Sequence, residues 1–382
     1  MEFYVKPLAE VVNIKTGKLN SNAAVVGGAY PFFTCAPEPL AIDKYKYDQE
    51  AILLAGNNAE GNFHINFYEG KFEAYQRTYI IDSKDIRKYD LKYLYYALKE
   101  CLAEFKLMSQ GTSTKFLTMA ILNSFKLNIP SIDNQKKVAK MLSLLDEKIE
   151  NNKKINNNLQ QQLRAIFKEK FTDNPELETV TQIPLSKLCH VVTKGTTPTT
   201  LGKSFVESGI NFIKAESILD DHSIDKNKFA FIDDETNMML KRSIIQAGDI
   251  VFTIAGTLGR FSLVDENVLP ANTNQAVAII RADAEKVLPE HIYTCFIGEW
   301  HNDYYAKRVQ QAVQANLSLT TIKSLPIPIL DEKEMNKYLQ LIIPIIRAIK
   351  GNEAETEKLA ALRNTLLPKL MSGKIDVSNI QI

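Results

Sequence analysis

Leu127-Asn128-Ile129-Pro130-Ser131-Ile132-Asp133-Asn134-Gln135 decides how this chain is read. An apolar, strand-like run meets a proline stop. Asp133 then stands as the N-cap of a long helical pattern. The arrangement recurs at Leu325-Pro326-Ile327-Pro328-Ile329-Leu330-Asp331-Glu332-Lys333, with Asp331 lying 198 residues after Asp133. The same offset carries Leu91-Lys92-Tyr93-Leu94-Tyr95 onto Pro289-Glu290-His291-Ile292-Tyr293. One residue of slippage carries Gln76 and Ile80-Ile81 onto Gln275 and Ile279-Ile280. Lys6-Pro7-Leu8 answers to Ile183-Pro184-Leu185. A chain that repeats once over its whole length is two copies of one unit.

Each copy reads as a mixed module followed by a long helix. In the first, Lys6 to Val12 is a short helix or strand. Tyr30 to Thr34 and Glu50 to Ala55 are strand-like, and His64 to Tyr68 and Lys71 to Tyr79 alternate as a hairpin around Glu69-Gly70. Asp90 to Lys106 has helical spacing. From Gln135 to Phe167 the positions Val138, Leu142, Leu145, Ile149, Asn152, Asn156, Leu159, Leu163 and Ile166 alternate steps of four and three, a coiled-coil seam. Asn152 and Asn156 either fix its register as buried amides or mark a break. Thr172 to Ile183 is a linker. In the second copy, Glu290 to Ala306 is the module's helix. The last helix, from Glu332 to about Met371, supplies a partner stripe and is expected to kink or split at Pro344. The fold expected is α+β: recognition-sized modules at 1–128 and 173–326, helical spacers at 129–172 and 327–382.

Composition narrows the function. A chain of 382 residues with 45% hydrophobic and 24% charged residues suits a soluble protein with two or three cores. No apolar run reaches the roughly 20 residues of a membrane span, and the start has no signal-peptide pattern. Cys35, Cys101, Cys189 and Cys295 are widely spaced, as expected of reduced thiols in a cytoplasmic protein. The five histidines are scattered without metal-ligand spacing. Net charge is +1, yet Gln135 to Phe171 holds nine basic and four acidic residues. A Lys-rich helix face serves solubility as readily as phosphate binding.

Catalytic motifs fail one by one. Gly202-Lys203-Ser204 lacks the glycine a phosphate-binding loop needs five residues earlier, where Thr197 stands. Asn128-Ile129-Pro130-Ser131 does not match the Asn/Asp-Pro-Pro-aromatic motif of an amino-methyltransferase. Asp48 with Glu69-Gly70-Lys71 matches a nuclease pattern on paper but reads better as a turn. What remains is polar loops at equivalent points of two scaffolds. Lys15, Lys18, Asn57, Asn58, Asn62, Gln76, Arg77, Thr112 and Ser113 stand in the first, and Lys194, Thr196, Thr197, Arg260, Asn272, Asn274 and Gln275 in the second. These residue types contact phosphates and base edges.

With these residues in view, the chain resembles the specificity subunits of type I restriction–modification systems over its whole length. The resemblance rests on the two Pro-to-helix starts, on Gln110-Gly111-Thr112-Ser113-Thr114, Phe252-Thr253-Ile254-Ala255-Gly256 and Ala74-Tyr75-Gln76-Arg77-Thr78, and on Leu370-Met371-Ser372-Gly373-Lys374-Ile375. Lys333 departs from Gln135, and Gln310-Gln311-Ala312-Val313 lacks the glycine of the first copy's loop. The resemblance implies two target recognition domains reading the halves of a bipartite double-stranded DNA site. It implies antiparallel spacer helices that dock two modification (methyltransferase) subunits, with restriction subunits joining through these. It implies no catalysis or cofactor in this chain: S-adenosylmethionine, ATP and Mg belong to the partners. A helix of about 36 residues is roughly 50 Å long, enough to hold two readers about one DNA turn apart. Other readings are a self-contained DNA methyltransferase or nuclease with degenerate motifs, and a coiled-coil scaffold without DNA affinity.

Overall fold

The computed structural model describes residues 1–173, 180–309 and 316–380. The chain divides into two compact units, Met1–Ile149 with Lys358–Ile382, and Glu150–Glu357. Each unit keeps one module and half of each long helix, whereas the expected segments divide the chain by sequence role. Glu176 and Glu178 of the expected linker and Gln310 to Val313 lie outside the described residues.

In the first unit, β1 (Tyr4–Pro7) and helix α1 (Leu8–Val11) lead into β2 (Val12–Thr16). Then come β3 (Tyr30–Phe33), β4 (Leu40–Ile42), β5 (Tyr47–Ala55), the two-residue β6 (Asn57–Asn58), β7 (Ile65–Ala74) and β8 (Thr78–Ser83). They form a six-stranded sheet, β2-β8-β5-β7-β3-β4, with β6 outside it. The hairpin expected around Glu69-Gly70 is absent. β7 runs straight through both residues, and Gly70 pairs with Gln49. The sheet curls. Nine extended residues of β5 span about 30 Å, and Tyr47 pairs with Phe72 while Ala55 pairs with Thr78. Only Tyr75-Gln76-Arg77 join β7 to β8, a reach of about 14 Å at most. The β5–β7 ribbon must therefore turn back on itself. Gly70, at φ 125°, takes a backbone conformation that other residues rarely adopt.

The expected helix at Asp90–Lys106 is two, α2 (Leu91–Glu100) and α3 (Leu102–Met108), separated at Cys101. The break turns Phe105 fully into the core, 4.6 Å from Phe125 between ring centres. β9 (Lys115–Phe116) pairs with β6, and α4 (Met119–Ser124) precedes β10 (Lys126–Ile129), which pairs with β1. α5 (Ile132–Phe171) then starts one residue before the expected cap. Ser131 is the N-cap: its carbonyl accepts from Gln135 N and its hydroxyl faces Asn134 N. Val138 and Leu142 of α5 pack with Leu367 and Leu370 of the C-terminal helix (Glu332–Met371) in this unit's core.

The second unit holds β11 (Thr181–Pro184), β12 (Cys189–Lys194), β13 (Ile210–Ile213), β14 (Ala230–Ile232), α6 (Asp234–Met239), β15 (Ile250–Thr253), β16 (Phe261–Leu263), β17 (Ala271–Thr273) and β18 (Val277–Ala282). Three sheets result, β12-β18-β15-β16, β14-β13-β17 and a two-stranded one that pairs β11 with the later strand Pro326–Ile329. The helix expected from Glu290 to Ala306 is split into α7 (Pro289–Ile297) and α8 (Asn302–Val309). Glu299 at φ 60° turns the chain, and the Phe167 ring occupies the space over Gly298 where a Cβ would sit. α9 (Leu319–Lys323), β19 (Pro326–Ile329) and α10 (Glu332–Met371) complete the chain. α10 is not split at Pro344, which is exposed and so directs its ring and the missing hydrogen bond outward. Nor is α5 broken at its asparagines. Asn152 is buried and donates to Glu355 at 2.8 Å; Asn156 donates to the Ile349 carbonyl and accepts from Asn352.

The repeat is visible bond by bond. β1·β10 matches β11·β19, β2·β8 matches β12·β18, and β5·β8 matches β15·β18. The strand and cap of the opening stretch recur 200 residues on, not 198: β10 becomes β19, and Ser131 becomes Asp331, which caps Glu334 at 3.0 Å. Tyr93 donates to the Asn128 carbonyl where the His291 ring meets that of Pro328. Gly17 and Gly195 occupy one position: a Cβ would lie 2.0 Å from the Ala74 oxygen in one and 1.8 Å from the Thr273 oxygen in the other. Gly17→Ala and Gly195→Ala should each cost about 1–3 kcal/mol by forcing backbones apart. Chemical denaturation would register this as a lower midpoint, and an unchanged midpoint would refute the close approach.

Candidate nucleic-acid interface

The close glycines build one device twice. In the first unit, Gly17 N donates to the Thr78 carbonyl and Gln76 N to that of Leu19, fastening the β7–β8 turn to the loop after β2. Gly56 N donates to the Arg77 carbonyl, which also accepts from the Cys35 thiol, and Leu117 N donates to Gly56. In the second unit, Gly195 N donates to the Asn274 carbonyl, Ile254 N to that of Ala276, and Leu317 N to that of Ile254. Gly56 therefore corresponds to Ile254. Each clamp gathers loops far apart in sequence and fixes what they present.

The first clamp unites most of the residues singled out there. Lys18, Gln76 and Arg77 are exposed around the turn. Thr112 and Ser113 are exposed on a loop closed by reciprocal bonds between Gln110 and Phe116. The asparagines are more occupied. Asn58 Oδ1 accepts from the backbone of Glu60 and Asn62 at 2.9 and 3.0 Å, so it shapes its own loop. Asn62 bonds Glu60 and accepts from Lys106 at 2.7 Å. Asn57 is half-buried in the β6–β9 pair. Lys15 lies back on the sheet, against Asp82, Gln49 and the Tyr47 ring. Lys106 and Lys115 also stand here, brought beside the asparagine loop only by the folding of their helix and strand.

The second clamp divides its set differently. Lys194 ends β12 and Thr196 and Thr197 follow it, and the Thr197 hydroxyl bonds the Gln275 amide, whose side chain is otherwise exposed. Asn274 Oδ1 accepts from Ala276 N at 3.0 Å and shapes the turn. Asn272 is a correction. Its side chain is fully buried, donating to Asn237 and the Leu240 carbonyl, so it serves the core and cannot meet a ligand from solution. Arg260 is also spoken for. Its guanidinium meets both Asp220 oxygens at 2.6 Å, a bidentate pair that uses its best donors. Arg242 stands beside the clamp instead, 3.4 Å from both the Lys194 carbonyl and the Thr196 hydroxyl. It lies 48 residues from Lys194, and no spacing rule could have joined them. Lys203 of the rejected phosphate-loop pattern pairs with Glu235 at 2.8 Å. The paper nuclease set is a cross-strand neighbourhood, Asp48 opposite Lys71, with Lys71 over the Tyr45 ring.

Burial pushes His291 and His301 down to about 4. Burial, aided by Arg164, does the same to His222, which stacks 4.0 Å from Phe261. Burial also pushes the Cys101 and Cys189 thiols up to about 12, so neither is a ready nucleophile. Among the described residues no group of three or more His, Cys, Asp or Glu could hold a metal ion, and no helix is long and apolar enough to cross a membrane.

Comparison with known proteins gives a consistent picture. A family model described as "Type I restriction modification DNA specificity domain" matches residues 1–161 and again 178–360. The chain is 36% identical over 146 residues to the type I restriction enzyme EcoDI specificity subunit of Escherichia coli, a match covering 38% of this chain and 32% of that protein. With the MjaIX specificity subunit of Methanocaldococcus jannaschii it shares 24% identity over 306 residues, covering 76% of this chain and 70% of the relative. A crystal structure of the type I system S subunit from M. genitalium matches 97% of this chain and 96% of its own, with TM-score 0.63 and 16% identity, a likeness of fold.

Proposed function

This chain belongs to the type I restriction modification DNA specificity family, whose domain fills it twice, and from that premise we propose that it reads a bipartite DNA target, one half with each clamp. The observation supporting this is the pairing of a common device with different contents. Gly17 and Gly195 fasten equivalent turns, one presenting Gln76 and Arg77, the other Gln275 beside Thr197. A shared scaffold with unlike side chains suits a target whose two halves differ in sequence. Exposed amides, hydroxyls and cations are the groups that read base edges and hold phosphates.

In this reading the chain performs no reaction. It directs modification subunits, two of them, and restriction subunits that join through these. S-adenosylmethionine, ATP and Mg act on the partners. The paired halves of α5 and α10 are the docking elements, and their length sets the gap between half-sites. Two weak readers on one chain gain a high effective concentration for each other.

Sequencing of methylated DNA tests this, using the chain together with its modification subunit and each component alone. A two-part motif with a fixed gap, made only by the pair, is expected. Methylation by the chain alone, or a pair that leaves no bipartite motif, would overturn the reading.

A further inference from the structure

Resting on that reading, we propose a division of labour at each clamp: the glutamine, Gln76 or Gln275, reads a base edge, and the neighbouring arginine, Arg77 or Arg242, holds an adjacent phosphate. Four observations carry it. Gln76 and Gln275 occupy the same place in the two turns, and both are exposed. The turns are immobilised by backbone bonds to loops at which no Cβ fits, so each amide is presented from a rigid base. Gln275 has one end of its amide oriented by Thr197, leaving the other for a ligand. Finally, the arginines of the modules sort themselves. Arg87, Arg260 and Arg281 are bound to Asp85, Asp220 and Asp249. Among the described arginine side chains of the modules, Arg77 and Arg242 are the two without a carboxylate. They belong to the two clamps by different routes: Arg77 lies in the turn itself, where the second copy has Ala276, and Arg242 comes from the loop after α6.

An amide at a purine edge discriminates between bases, whereas a cation on a phosphate adds affinity that is blind to sequence. The two residues of each pair should therefore fail differently. The test uses the full chain with its modification subunit and duplex DNA carrying the motif found for the unaltered complex. The variants are Gln275→Ala, Gln76→Ala, Arg242→Ala and Arg242→Lys. All are surface changes, with circular dichroism and co-purification as checks of folding. Gln275→Ala should relax the motif by about tenfold at one position of one half only, and Gln76→Ala at one position of the other. Arg242→Ala should weaken binding to all sequences alike and lower the slope of log affinity against log salt by about one; Arg242→Lys should restore most of it. A two-part motif left intact by both glutamine variants overturns this assignment alone. So does a change of motif, or no loss of affinity, on removing Arg242. A complex that yields no two-part motif at all overturns the underlying reading as well.

Discussion

Asp249→Ala is expected to cost the second unit about 3–5 kcal/mol, a large fraction of a folded domain's stability. Asp249 is fully buried at the start of β15. Its two oxygens accept from Arg281 Nε and Nη2, both at 2.7 Å, and one also accepts from Gln246 N at 2.8 Å. Arg281 donates further to the Ile244 carbonyl at 3.0 Å. The pair thus ties the loop entering β15 to β18, the strand that begins at the second clamp. Removing the carboxylate leaves a largely buried guanidinium without its counter-charge and a backbone N–H without its acceptor. The cost comes from those orphaned groups rather than from the pair's own net worth. Urea unfolding of the single variant should show the full loss. A double variant, Asp249→Leu with Arg281→Met, should recover much of it, because no charge is then left buried. A loss below about 1 kcal/mol in the single variant would mean that water reaches the pair.

The opening stretch was the most legible part of the chain because its signals are local. A proline, a capping side chain and a stripe of apolar positions are each decided by neighbours in sequence. The helix register followed, even with two asparagines in the seam, because partners exist for both amides. In two places a distant residue overrode the local signal. Glu69-Gly70 has the composition of a turn, but Gln49 and Glu50 pair across it and Gly70 serves as a bend within a strand. The helix after Pro289 ends early because Phe167, far back on α5, needs the space over Gly298. The 198-residue offset was right for the module helix and wrong by two for the cap, since serine and aspartate fill the same role and only bonding reveals which are equivalent.

The candidate interface was legible by residue type and not by availability. Polar loops at equivalent points are visible in sequence; whether a side chain is already engaged is not. Asn272 and Arg260 look as suitable as Gln275 and Arg242 until Asn237 and Asp220 are placed beside them. Equivalent position in a repeat predicts location, and only packing decides which groups remain free to meet a ligand.

Acid should unfold the second unit through its own histidines. His222, His291 and His301 are buried, and their folded-state values of about 4 lie well below the ordinary value of about 6.5. Each is held neutral chiefly by loss of water. His222 and His301 share the aromatic cluster around Phe261, while His291 packs against Phe171 and Tyr338. The sign follows from proton counting. Between pH 6.5 and about 4 the unfolded chain binds three protons that the folded one refuses, so stability falls as pH falls through that window. Above pH 6.5 these groups add no pH dependence. At pH 5 each costs about 2 kcal/mol relative to pH 7, and together about 6 kcal/mol, a drop in melting temperature on the order of 10 °C. His301→Phe keeps an aromatic ring in the cluster and removes one titrating group. His222→Asn suits the left-handed backbone at φ 66°. Each variant should flatten the pH dependence of the melting temperature between pH 7 and pH 5 by about a third, whatever it does to stability at pH 7. An unchanged slope in both variants would mean that these rings take up protons in the folded state, and that the acid lability lies with the carboxylates.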